Sequence, residues 1–68
     1  MRLEERIGVR LQTYRQQSSI TPEAAAKAVG LGTQDYLECE AGNRRATALE
    51  LTKLCKLFNI RMVDLFAA

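Results

Sequence analysis

The stretch GTQDYLECEAGNRR, Gly32 to Arg45, gathers the side chains whose types and spacing could do chemistry. Read as a helix of 3.6 residues per turn, Thr33, Gln34, Leu37 and Glu38 face outward together. Their chemistry is recognition rather than reaction. Gln presents a donor and an acceptor side by side, which matches adenine in a major groove. Thr meets a phosphate or a thymine methyl, Leu packs on such a methyl, and Glu accepts from cytosine N4. Asn43, Arg44 and Arg45 follow in a loop, where adjacent cations suit phosphate. Thr21 marks the start of another helix, whose free N–H groups form an anion position. Pro22 weakens that position because it has no N–H. The plain alternative for all of these is solvated surface.

The same stretch holds three carboxylates, which a polyanion would repel. Asp35 falls in the first turn of its helix, where a carboxylate complements the helix dipole. Glu40 turns partly inward, beside Tyr36 and Cys39. Only Glu38 remains on the outward face.

Composition bounds the remaining chemistry. With 68 residues the chain makes one small domain. Hydrophobic residues at 47% and charged residues at 26% read as globular, not disordered. A net charge of +2 is too mild to imply nucleic acid by itself, so the placement of charge decides. The chain has no histidine and no CxxC, so zinc chemistry on Cys and His is nearly excluded and no cofactor is implied. Without His, paired carboxylates in a pocket-forming frame or a phosphate loop, an enzyme is the poorest reading. Cys39 and Cys55 read as reduced core residues. The opening MRLEERIGVR carries charge throughout and has no apolar centre, so it is not expected to be a signal peptide. No run reaches membrane-spanning length, and cytoplasm is the expected compartment.

Short helices must position these residues. Apolar spacing is helical almost everywhere, and no hairpin signal appears. The pattern predicts helices over about 2–17, 22–29, 33–40, 47–58 and 62–66 within one domain, 1–68. In the first, Leu3, Ile7, Leu11 and Tyr14 share a stripe, and Gly8 weakens the helix slightly. Thr21 caps the second, Pro22 suits its first position, and Gly30 closes it. Thr47 caps the fourth. The expected core is Ile7, Leu11, Tyr14, Ala25, Val29, Leu31, Tyr36, Leu51, Leu54, Phe58, Ile60 and Leu65. The fold class is all-α, a compact five-helix bundle.

One juxtaposition is more specific. Two helices meeting at a tight turn need a small residue where they approach, here Ala26. They need a glycine at the turn four residues on, Gly30, and a bulky apolar residue pinning the second helix, Tyr36. With these in RLQTYRQQSSITPEAAAKAVGL, YLECEAGNRR and LTKLCKLFNIRMVDLF, the sequence resembles the Cro/cI, or Xre, helix-turn-helix family from about Ile7 to Phe66. The resemblance implies a lambda-repressor-like bundle whose third helix enters the major groove of double-stranded DNA, usually as a two-fold dimer. It implies a transcriptional regulator, most often a repressor. It also implies an ion pair between Arg15 and Glu40, and a basic loop at Asn43, Arg44 and Arg45 after Gly42.

The departures are specific as well. Pro22 stands where the family often has a DNA-contacting Gln. Ser19 replaces the usual Gly before the second helix, Ala46 the usual Pro after the basic loop, and Arg61 the usual cap of the last helix. Leu49, Leu57, Met62 and Val63 exceed what a small core needs, and by family analogy they form a homodimer interface. The acidic side of helix three leaves a second reading: a helix-turn-helix module, or antitoxin, whose helix 33–40 contacts a basic protein partner.

Overall fold

The computed structural model describes residues 1–66, five helices in chain order and no strand among them. Helix α1 spans Leu3–Gln17, α2 Pro22–Val29, α3 Thr33–Ala41, α4 Ala48–Phe58 and α5 Met62–Phe66.

Local chemistry sets the helix ends. The Thr21 hydroxyl accepts from the Ala24 N–H at 3.1 Å, with Pro22 in the first turn. Thr47 and Glu50 form a capping box on α4: the Glu50 N–H reaches the Thr47 hydroxyl at 3.1 Å, and the Thr47 N–H reaches Glu50 Oε1 at 2.9 Å. Arg61 is a poor cap, yet α5 still begins there because Asp64 accepts from the Arg61 N–H at 2.9 Å. Gly30 closes α2 at φ 79°, and the Leu31 N–H then reaches the Ala26 carbonyl at 2.9 Å. That left-handed residue turns the chain from α2 into α3.

The core contains Ile7, Leu11, Ala25, Ala26, Val29, Tyr36, Cys39, Leu51, Leu54, Cys55, Phe58 and Leu65. Three residues expected inside, Tyr14, Leu31 and Ile60, are only half-buried against it. Leu3 lies 43% exposed although it sits on the apolar stripe of α1. Five short helices enclose one shallow interior, so the ends of each stripe reach the rim. The space goes to small residues instead. Ala26 and Cys39 are almost fully buried, which lets α2 and α3 approach each other and the centre.

Gly8 has a role beyond helix propensity. A Cβ there would stand 2.4 Å from the Glu40 carbonyl oxygen and 2.6 Å from that of Cys39. Its missing side chain lets α1 touch the backbone of α3 directly.

Candidate nucleic-acid interface

Helix α3 is held from behind. Its buried residues are Tyr36, Cys39 and Glu40. Arg15 Nε donates to Glu40 Oε2 at 2.6 Å, with both side chains nearly out of solvent. Arg15 also donates to the Ile20 carbonyl at 2.9 Å. One guanidinium therefore ties α1, the α1–α2 turn and α3 together. The bond to Glu40 raises the Arg15 pKa further. The Tyr36 hydroxyl is buried close by and has no hydrogen-bond partner among the described residues. Burial, then the neighbouring Glu40 carboxylate, pushes its pKa far up, so it stays a neutral phenol.

The other side of α3 is open. Gln34 is exposed, Thr33 and Glu38 are half-exposed, and Leu37 lies at the edge of exposure. None of these four belongs to the buried core. Gln34 Nε2 donates to Glu38 Oε1 at 3.1 Å. An amide nitrogen carries two hydrogens, so Gln34 keeps one donor and its acceptor oxygen for another group. Asp35 is exposed in the first turn of α3, and Gly32 at the cap offers no side chain to the free N–H groups.

The basic loop is not a row of free cations. Arg44 Nη1 and Nη2 reach the two oxygens of Glu50 at 2.9 and 3.2 Å, and Nη1 lies 3.2 Å from Cys39 Sγ. Glu50 is itself engaged in the capping box of α4, so Arg44 belongs to a part-buried network. The bond from Arg44 holds the Glu50 carboxyl below its usual pKa. Burial raises the pKa of the Cys39 thiol against the opposing pull of Arg44. Arg45 Nε donates to Glu4 Oε1 at 2.9 Å, and its Nη2 contacts the same oxygen. Asn43 is exposed beside them. At the other anion position, the Thr21 oxygen is occupied by the Ala24 N–H.

Two partners here, Glu4 and Glu50, escaped the reading of the residues. Glu50 was within reach, because Thr-x-x-Glu before an apolar run is a capping box and places that carboxylate beside the loop. Glu4 was not, because 41 residues separate it from Arg45.

The four apolar residues assigned to a two-fold interface divide. Leu49 and Val63 are 65% and 58% exposed. Leu57 and Met62 pack against the core. Phe66 and Leu3 add exposed apolar surface that the reading did not assign. Among the described residues no His, Cys, Asp and Glu cluster is arranged to hold a metal, and no helix is long and apolar enough to cross a membrane.

The order α2, left-handed Gly30, α3, with α3 pinned by Tyr36 and open on its far face, matches a known family. Residues 6–67 fit the model of a helix-turn-helix domain. The chain belongs to that family. This helix-turn-helix domain is similar in structure to the clp gene regulator ClgR from Corynebacterium glutamicum. The TM-score is 0.93 at 21% identity, covering 97% of this chain and 70% of that one. A second ClgR structure gives a TM-score of 0.89 at 21% identity, covering 97% and 86%. The restriction-modification controller protein C.AhdI from Aeromonas hydrophila gives 0.85 at 25% identity, covering 93% and 96%. No curated protein sequence matches this helix-turn-helix domain significantly. The resemblance read from the residues is thus the family of the chain, and the all-α bundle is its fold.

Proposed function

We propose that this helix-turn-helix domain is a sequence-specific DNA-binding transcriptional regulator, a repressor acting in the cytoplasm as a homodimer. The single observation that carries the reading is α3. Its inner face is bound to the bundle by a buried ion pair, while its outer face presents Thr33, Gln34, Leu37 and Glu38, half-exposed or exposed. The names of the similar structures, a gene regulator and a controller protein, support regulation as the role.

In this reading Gln34 pairs with adenine through its free donor and acceptor. Glu38 orients that amide through the bond at 3.1 Å as well as facing the groove itself. Thr33 and Leu37 flank the contact. Asn43, Arg45 and the start of α2 at Thr21 meet phosphates. Arg44, held by Glu50, shapes the loop and meets phosphate only by loosening that pair. Leu49 and Val63, with Leu57 and Met62 beneath, form the two-fold contact. It spaces two copies of α3 by roughly one DNA turn, about 34 Å.

Selection of bound duplexes from a random pool tests the reading. Two half-sites related by a dyad are expected. Gln34→Ala is expected to weaken the selected site by about 1–3 kcal/mol and relax preference at one base pair. Equal weakening on all sequences would remove Gln34 from base reading.

The second reading, a protein-binding module or antitoxin, draws on the carboxylates Asp35 and Glu38 exposed around Leu37. It is the better account if no duplex is retained at low salt.

A further inference from the structure

The loop arginines are both occupied, but not in the same way. Arg44 is locked. Its carboxylate, Glu50, has a side chain only 15% exposed and also caps α4, and Arg44 itself touches Cys39. Arg45 has a guanidinium side chain 74% exposed, whereas the Glu4 side chain beneath it is 16% exposed. Glu4 is anchored in the first turn of α1, facing the groove between α1 and α4 that Leu3, Ile7, Leu51 and Phe66 line. The fixed end of the pair is the carboxylate, and the end open to a partner is the cation.

We propose that Glu4 is an intramolecular stand-in for phosphate, and so sets the affinity of the interface by occupying Arg45 until DNA displaces it. The proposal rests on the DNA-binding reading above. The exchange is like for like. An N–H···O⁻ bond to a carboxylate gives way to an N–H···O⁻ bond to phosphate, which has the same chemistry. What differs is what remains: after Arg45 moves, Glu4 is left without its partner, beside an arriving polyanion. Both consequences lower affinity. The bond from Arg45 also holds the Glu4 carboxyl below its usual pKa, so at neutral pH Glu4 is present as the competing anion. A carboxylate far from α3 and from the loop in sequence thereby becomes a determinant of DNA affinity.

A double-mutant cycle tests it. The parent chain, Glu4→Gln, Arg45→Ala and the double variant are titrated against one duplex by fluorescence anisotropy, at about 50 and 200 mM salt. Glu4→Gln is expected to bind roughly two- to fivefold tighter, the worth of an exposed ion pair. With Arg45 already removed, the same substitution is expected to give a clearly smaller gain, because only the repulsion between Glu4 and the duplex is then relieved. Arg45→Ala is expected to weaken binding and to lower the salt slope by about one. An equal gain in both backgrounds would mean simple repulsion between Glu4 and DNA and would overturn the proposal, as would no gain in either. Parent chain that binds duplex without a Glu4 effect removes only this inference. Parent chain that binds no duplex at about 50 mM salt removes the DNA-binding reading and this inference together. Thermal melting checks that each variant is folded, and Glu4→Ala repeats the cycle if the Gln variant melts early.

Discussion

At the scale of single residues, the backbone carries consequences that side-chain types do not announce. Alanine in place of Gly8 would normally favour a helix by up to about 1 kcal/mol. Here its Cβ would meet two carbonyl oxygens at 2.4 and 2.6 Å, and backbone cannot swing aside. Overpacking of this kind costs about 1–3 kcal/mol, more when helices must part. Gly8→Ala is therefore expected to lose about 1–2 kcal/mol net, read as a melting temperature lower by roughly 4–8 °C per kcal/mol. A higher melting temperature would mean that α1 and α3 separate freely. Ser19 is the opposite case. It holds φ 57°, a left-handed conformation that a residue with a Cβ adopts at a cost. Ser19→Gly is expected to gain roughly 0.5–1 kcal/mol in urea unfolding, after allowing for the greater freedom of glycine in the unfolded chain. A loss would show that the Ser side chain stabilises the turn.

At the scale of elements, α3 depends on α1. A helix of 9 residues has no stability of its own in water, so its orientation is a property of what lies behind it. The Arg15–Glu40 pair supplies that support and is buried, which makes it costly to break from one side only. Arg15→Ala leaves a buried carboxylate unpaired and the Ile20 carbonyl without its donor. The expected loss is about 3–5 kcal/mol by chemical unfolding. That is a large share of the roughly 5–15 kcal/mol that holds a typical domain together. Replacing both members, Arg15→Met with Glu40→Leu, is expected to recover most of the loss. If the single variant unfolds at the same urea concentration as the parent, the pair is not what holds α3.

At the scale of the whole molecule, opposite charges are interleaved rather than separated. Ion pairs among the described residues engage Arg2, Arg15, Arg44, Arg45 and Arg61, so the surface is less cationic than its arginines imply. Carboxylates at Glu4, Glu5 and Glu50 have pKa values lowered in the folded state. A lowered folded pKa contributes stability above the unfolded value, near 4.5, and that contribution is lost as pH falls through the folded value. The protein is expected to be stable at neutral pH and to weaken on acidification below about 4.5. Glu50→Gln is expected to lower stability at pH 7 and to flatten the acid limb of a melting-temperature profile, because it no longer titrates. An unchanged acid limb would assign the acid sensitivity to other carboxylates.

Periodicity and caps by themselves determined the helices, since apolar spacing, Thr21, Pro22, Gly30 and Thr47 act within a few residues of one another. The order small residue, glycine, aromatic at Ala26, Gly30 and Tyr36 determined the helix-turn-helix family for the same reason. It also separated the outward residues of α3 from the inward ones. Contacts across the chain were decided only by the tertiary structure. Gly8 reads as a weak helix position until α3 is laid against it. Arg44 and Arg45 read as two equal cations in a loop until one is locked by Glu50 and the other is held openly by Glu4. The physical reason is range: helix chemistry is local, whereas an ion pair depends on which surfaces the fold brings together, and residue types do not encode that distance.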